Sequence, residues 1–346
     1  MKKVFYFMSS RGALAGFLLA GALLSCALLA GILCSCASSV PDLDFRQEMR
    51  DFVIDLSEYA KGEKTGFIII PQNGQDLATT DGEPDGPAAA AYLAAIDGQG
   101  REDLFYGYDE DNAATAAEDT EWMSGFLDVE EEKGVEALVT DYCSTPAKMD
   151  DSYAQNAVRG YTSFAADSRD LDRIPAYPAS PYNENSDDIT SLAAAENFLY
   201  LLDPSGFASK DDYLNRLAAT NYDLIIMDLF YEPAEGGSGP VELTPADLAV
   251  ISAKANGGSR LLICYMSIGE AEDYRFYWED DWSVGSPQWI EDENPNWEGN
   301  YKVRYWDEEW QAVIFGREGA YLDKIIAAGF DGVYLDIIDA FEYFEE

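Results

Sequence analysis

Asp223-Leu224-Ile225-Ile226-Met227-Asp228 is a short apolar run closed at each end by an acid. A stretch at 245–256 follows with helical spacing, Thr244 standing as its N-cap and Pro245 in its first turn. Then comes Arg260-Leu261-Leu262-Ile263-Cys264-Tyr265-Met266, a second apolar run. Strand, helix, strand in this order, with both strands apolar throughout, is the pattern of a parallel sheet covered on both faces.

The same pattern extends in both directions. Strands are expected at 66–70, 96–105, 135–141, 161–165, 198–202 and 332–336, and helices at 45–61, 88–95, 122–133, 153–159, 210–219 and 319–328. An acidic loop is expected at 107–121 and a long aromatic loop at 273–310. Strict alternation points to the α/β class. Eight units favour a closed (β/α)8 TIM barrel over an open sheet, and no glycine-rich phosphate loop opens any of the helices. Pro175, Pro178 and Pro181, with Asn183, Asn185, Ser186, Asp187 and Asp188, mark a linker inside the series.

The front of the chain reads differently. Lys2, Lys3 and Arg11 precede an apolar run over 12–33, which ends in Leu33-Cys34-Ser35-Cys36. This resembles a bacterial lipobox, so residues 1–35 are expected to be a lipoprotein signal peptide, Cys36 the lipidated residue and 36–44 a tether. The competing reading is an uncleaved membrane anchor, since the run is long enough to span a bilayer. The first reading places the protein outside the cytoplasm, in the cell envelope, held to the membrane by lipid. Cys143 and Cys264 fall in strand-like runs and are expected to be buried free thiols.

Composition excludes whole classes of chemistry. The 346 residues include no histidine, so an imidazole base, a histidine triad and a histidine-ligated metal are all ruled out. With 65 Asp and Glu against 22 Lys and Arg, the formal charge is −43. Such a surface repels nucleic acid, and it suits cationic ligands, cationic glycans or a salty habitat. No cofactor motif is present, and no EF-hand-like spacing of oxygen ligands.

Four motifs carry a resemblance. They are Tyr265-Met266-Ser267-Ile268-Gly269-Glu270-Ala271-Glu272-Asp273-Tyr274-Arg275, Gly329-Phe330-Asp331-Gly332-Val333-Tyr334-Leu335-Asp336, Pro71-Gln72-Asn73-Gly74, and Arg101-Glu102-Asp103-Leu104-Phe105-Tyr106-Gly107. Together they resemble the endo-α-1,4-polygalactosaminidase-like glycoside hydrolases, family 114 and its bacterial relatives. The resemblance covers nearly everything after residue 44. It implies a (β/α)8 barrel in circularly permuted order. In typical relatives the segment like 196–346 comes first and the segment like 45–170 follows. Here family strands five to eight precede strands one to four, with 171–195 as linker inside a single barrel domain, 45–346. The competing reading of this order is a misassembled gene. The strand end Tyr334-Leu335-Asp336 also departs from the more acidic, proline-containing version of several relatives.

Active sites of such barrels lie at the carboxyl ends of the strands. Those ends offer Asn73, Glu102 with Asp103, Asp141, Asp228, Glu270 and Asp336. A single Asp after a strand is as easily a helix cap as a site residue. Glycoside hydrolysis needs two carboxyls, one to donate a proton and one to act as base or nucleophile. The resemblance puts these at Glu102, as acid/base, and at Asp336, its partner. Asn73, Asp103, Asp141, Asp228 and Glu270, with Tyr265 and Arg275 of the first motif, are expected to contact substrate. Trp278, Trp282, Trp289, Trp297, Trp306 and Trp310 crowd the aromatic loop, where they would either stack on sugar rings or fold into a cluster of their own. The expected activity is cleavage of an α-linked, galactosamine-rich or similar polysaccharide. The alternative is a surface lipoprotein that binds carbohydrate without cleaving it.

Overall fold

The structure is a computed structural model that describes residues 43–233 and 239–345. The expected signal peptide, the lipobox and Cys36 lie outside the described residues. Among the described residues no helix is long and apolar enough to cross a membrane.

Eight parallel strands form the centre: β1 (Ile68–Pro71), β2 (Gly98–Glu102), β3 (Glu136–Tyr142), β4 (Thr162–Ala166), β5 (Phe198–Tyr200), β6 (Leu224–Met227), β7 (Leu261–Ser267) and β8 (Gly332–Asp336). They pair as two parallel sheets, one in the order β1-β8-β7-β6-β5 and one in the order β2-β3-β4. Strand β1 pairs with β8 in the register Ile68↔Gly332 to Pro71↔Leu335, joining opposite ends of the sequence. The two sheets meet between β1 and β2. There Gln72 and Gly100 form a parallel bridge, and the Asn73 N–H donates to the Gly100 carbonyl at 2.8 Å.

The other seam, between β4 and β5, corrects one expectation. No backbone ladder joins these strands among the described residues. The Phe164 and Phe198 rings lie 5.8 Å apart, and Thr162 Oγ1 donates to the Ala195 carbonyl at 3.1 Å. A side chain thus occupies a carbonyl that a neighbouring strand would otherwise use. The ladder stops short of closure where the linker delivers the chain to the three-residue β5.

Helices cover the outside. Helix α1 (Phe45–Glu63) starts at Asp44, whose carboxylate accepts from the Gln47 N–H, and buries Met49, Phe52, Val53, Leu56 and Ala60 against the strands. Helices α2 (Ala90–Ala95), α3 (Ala117–Glu131), α4 (Pro146–Arg159), α5 (Lys210–Ala218), α6 (Pro245–Ile251), α7 (Glu308–Ile314) and α8 (Tyr321–Ala328) follow. Helix α6 is shorter than its apolar spacing suggests. The chain turns away through Gly257 and Gly258, both at positive φ, and brings Lys254 back onto Asp223 at 2.7 Å with both side chains fully buried. Asn185 of the linker bonds to both partners, at 2.8 Å and 2.7 Å, so the linker is clamped to the sheet.

The stretch expected as a loop over 273–310 is partly ordered as a separate antiparallel sheet. Its strands are Glu270–Glu272, Asn300–Val303 and Ile290–Glu293, in that order. Trp289, Trp310, Tyr277 and Tyr305 are buried in the main core, so this part of the aromatic stretch packs on itself. Tyr274 and Phe276 remain exposed. Cys143 and Cys264 are buried and free.

Candidate active site

Glu102 is the last residue of β2 and Asp336 the last of β8; β1 lies between them. Strands are spaced roughly 4.8 Å apart, so the two backbones stand about 10 Å from each other, and inward side chains shorten that gap. A side chain shows the reach directly: the Tyr334 hydroxyl of β8 occupies the space in which a Cβ at Gly100 of β2 would sit. Only glycine fits at that position.

Glu102 is enclosed. Asn73 Nδ2 donates to its Oε2 at 3.0 Å, the Tyr142 hydroxyl donates to its Oε1, and its own N–H donates to Asn73 Oδ1 at 3.2 Å. Asp336 is nearer to solvent. The Tyr265 hydroxyl donates to its Oδ2 at 2.5 Å. Burial pushes the Asp336 carboxyl up to about 8; the Tyr265 hydrogen bond counters this, and the charge of Glu102 adds to it. Two carboxyls that feel each other's field, one of them inclined to hold a proton at neutral pH, meet the electrostatic requirement for acid–base work.

The backbone around them is unusual. Asn73 (φ 57°), Asp103 (φ 62°) and Ile337 (φ 58°) all lie in the left-handed region, one at or just past each of the three strand ends. For a β-branched residue such as Ile337 this conformation costs on the order of 1–3 kcal/mol, and strain of this kind gathers at functional sites.

The other expected contacts divide. Asn73 grips Glu102. Tyr265 grips Asp336. Asp103 lies beside Glu102 and is forked by Arg169 at 2.8 Å and 3.2 Å; burial pushes its carboxyl up to about 7 against the pull of that guanidinium. Asp228 follows β6 directly and accepts from Arg275 Nη1 at 2.7 Å, while Arg275 Nε donates to Glu272 at 2.6 Å. Burial alone would lower the pKa of Arg275, but Asp228 and Glu272 outweigh it and hold the value raised. Glu270 is enclosed in the antiparallel insert, accepting from Asn294, Asn300 and the Tyr343 hydroxyl. Asp141 faces away from the cleft. It is fully buried and accepts from the Phe105 and Tyr106 N–H groups, Ser152 Oγ and Asn156 Nδ2. Its place in the structure is that of an anchor between β3 and α4.

Three site residues go beyond the sequence reading. Tyr142 follows Asp141 and points inward; the register Glu102↔Thr140 places Tyr142 on the same face as Glu102 and Asp141 on the other. Arg169 lies past β4, with its guanidinium 3.8 Å from the centre of the Tyr142 ring. Asp339 lies in the turn after β8, where burial and then the charge of Glu342 push its carboxyl up to about 7. The strand period gave a signal for Tyr142, and Asp339 falls in the segment Ile337-Ile338-Asp339-Ala340-Phe341 that continues the second family-like motif. For Arg169 no local pattern did. Among the described residues no group of three or more acids and thiols is arranged to hold a metal ion.

Eight parallel strands in two sheets, with acids at their carboxyl ends, place those acids where α/β barrel proteins carry their sites. Residues 196–346 match the family model described as Glycoside-hydrolase family GH114, so this part of the chain is similar to that family. Among curated proteins it is similar to an uncharacterized protein of Methanocaldococcus jannaschii, 39% identical over 52% of this chain and 48% of that protein. An uncharacterized protein of Deinococcus radiodurans is 43% identical over 37% of each chain. One of Thermotoga maritima is 36% identical over 38% of this chain and 36% of its own length. The chain thus spans about half the length, or less, of the curated relatives it matches.

Proposed function

We propose that this protein is an exported, lipid-anchored glycoside hydrolase that cleaves an α-linked, galactosamine-rich or similar polysaccharide. In this reading its eight strands make one (β/α)8 barrel whose halves stand in exchanged order. The observation that carries the activity is the placement of Glu102 and Asp336 at the carboxyl ends of β2 and β8, each gripped by its own polar partner and each within the other's field. Hydrolysis then balances simply. A protonated carboxyl gives its proton to the glycosidic oxygen, which keeps the electron pair of the breaking bond. Water adds to the sugar carbon, and the proton it gives up ends on the pair.

The acidic character of the chain supports a cationic, partly deacetylated glycan as substrate. The apolar run before Cys36 supports export and anchoring; loss of lipid labelling in Cys36→Ser is the check. The function itself is tested by incubating the soluble portion with deacetylated and acetylated galactosaminoglycan and measuring new reducing ends. Release from either supports the reading. Binding to the glycan with no release from the wild-type protein would replace it with the carbohydrate-binding alternative.

A further inference from the structure

Lys254 is the one buried lysine among the described residues. Its partner Asp223 stands just before β6, so the two lie at the amino ends of the strands, away from the edge that carries Glu102 and Asp336. Lys254 Nζ donates to Asp223 Oδ1 at 2.7 Å and to Asn185 Oδ1 at 2.8 Å. Asn185 Nδ2 donates in turn to Asp223 Oδ2 at 2.7 Å. The three side chains close a ring. One carboxyl has an oxygen on the amine and the other oxygen on the amide nitrogen. A hydrogen bond of 2.8 Å to the amide oxygen holds Nζ within about 4 Å of the amide carbon, Cγ, because a carbonyl bond is so short.

These are the parts of an acyl transfer: an amine, an acyl carbon, and a carboxyl touching both the entering and the leaving nitrogen. A fourth part is present. The Asp187 N–H donates to Asn185 Oδ1 at 3.1 Å, on the oxygen where negative charge gathers when an amine adds to Cγ. The surroundings fix the geometry. Asn256 Nδ2 donates to the Asn185 carbonyl at 3.0 Å, and the Ser259 N–H to Asp188 at 2.9 Å. A Cβ at Gly258 would collide with the Asp187 carbonyl oxygen, so glycine there lets the linker lie this close. The Glu196 N–H and Asn197 Nδ2 hold Asp223 Oδ2 from the other side, at 3.0 Å and 3.3 Å. The Lys254 and Asp223 side chains are fully buried, which keeps bulk water from the amine. An amide is a poor acyl donor, but groups held in place reach effective molarities on the order of 10⁵–10⁸ M. The reaction also needs to happen only once in each molecule.

We propose that Lys254 and Asn185 join in an intramolecular isopeptide bond, with Asp223 as the proton relay. Asp223 takes a proton from the Lys254 ammonium and frees the lone pair of Nζ, which adds to Asn185 Cγ. The carbonyl electron pair moves onto Oδ1 and returns as the Cγ–Nδ2 bond breaks. The leaving nitrogen keeps the pair of that bond. The two protons that Nζ gives up pass through Asp223 to the leaving nitrogen, which departs as ammonium. Asp223 ends as it began, and the balance needs no oxidant, water or cofactor.

The bond would join positions 69 residues apart and fasten the linker covalently to the chain after α6. A cross-link of this kind restricts the unfolded chain and so favours the folded one. It stands apart from the hydrolytic reading of Glu102 and Asp336, and neither depends on the other.

The test is a peptide map of the full chain, purified folded, then denatured and digested with trypsin. Trypsin cuts after Arg173, Lys210, Arg216, Lys254 and Arg260. The bond is expected to block the cut after Lys254 and to give one branched species, 174–210 joined to 217–260. Its mass is expected to fall short of the two peptides together by one ammonia molecule, with fragmentation placing the junction at Asn185 and Lys254. Recovery of 174–210 and 217–254 as separate peptides overturns the proposal. A cyclic imide at an asparagine loses the same ammonia but leaves the peptides separate, so that outcome overturns it too. Asp223→Asn keeps the shape of the relay and removes its proton-carrying oxygen, and it is expected to leave the two peptides unjoined. A branched species in that variant overturns the role of Asp223. If Asp223→Asn does not fold, Asp223→Ser takes its place with the same expectation. The wild-type map decides the bond whether or not either variant folds.

Discussion

Asp141 and Tyr142 are neighbours in sequence with opposite duties. The strand sends Asp141 out toward α4, where four donors hold it, and Tyr142 in toward Glu102. Reading acids at strand ends found Glu102 and Asp336 because each is the final residue of its strand on the inner face. The same reading took in Asp141 because it counted acids without counting the two-residue period. Register cannot be seen in one strand alone, so the face of Asp141 was settled only by its pairing with β2 and β4. A single comparison separates the duties. Glu102→Gln and Asp336→Asn keep shape and remove a proton donor or an anion, so each is expected to lower the rate of glycan cleavage on the order of 10²–10⁴-fold with folding intact. Asp141→Asn turns an amide donor toward groups that are themselves donors. It is expected to cost about 1–3 kcal/mol in denaturant unfolding and to change the cleavage rate little. A rate loss in Asp141→Asn as large as in the other two would return Asp141 to the cleft.

Whole elements were legible where burial imposed one pattern. Strands β1 and β5 to β8 are largely apolar on both faces, and the seven helices predicted from spacing are present as α1 to α6 and α8. What escaped was structure whose residues look like loop. Glu270–Glu272, Ile290–Glu293 and Asn300–Val303 are acidic or mixed, and their pairing depends on the tryptophans and tyrosines packed beneath them. Helices α3 and α4 begin earlier than their apolar spacing because their first turns are set by terminal chemistry, Glu118 and Asp119 in one and Pro146 in the other. Helix α3 also carries Glu130, which is buried with neither carboxyl oxygen hydrogen-bonded. Burial raises its pKa well above 4.5, so it enters the folded state neutral. The unfolded chain releases this proton near its ordinary value while the folded protein retains it. Stability from this group is therefore full at acid pH, falls as pH climbs past the unfolded value, and stops falling once the folded group ionises too. Glu130→Gln removes that dependence. It is expected to match the wild-type protein near pH 4 and to exceed it near pH 8, read as the difference between their urea midpoints. Equal midpoints at both pH values would show that Glu130 finds a partner and ionises normally.

At the scale of the molecule, the question is whether the order of the halves matters once the strands are in place. The structure brings distant parts of the sequence together. Arg46 Nε donates to Glu345 Oε1 at 2.9 Å, the Arg46 guanidinium lies 4.7 Å from the centre of the Phe341 ring, and the Phe45 and Phe344 rings are 5.4 Å apart. A chain could pass from residue 345 to residue 45 with almost no detour, which is the connection the family order would use. The present connection runs through the linker instead, held by Asn185 against Lys254 and Asp223. If the barrel is a permuted one, exchanging these two connections should leave the contacts of the core alone. A chain running 183–346 and continuing directly into 43–182 tests this. It keeps every residue of 43–346, retains Asn185 beside its partners, and opens the chain between Tyr182 and Asn183. The entropic difference is small, because each doubling of loop length costs only about 0.6 kcal/mol. The rearranged chain is therefore expected to unfold in one cooperative transition at a similar urea midpoint, with an unchanged far-ultraviolet circular dichroism spectrum. Two separate transitions, or a folded 183–346 half beside an unfolded 43–182 half, would mean that the halves depend on their present order and that exchange of the halves is the wrong description of this chain.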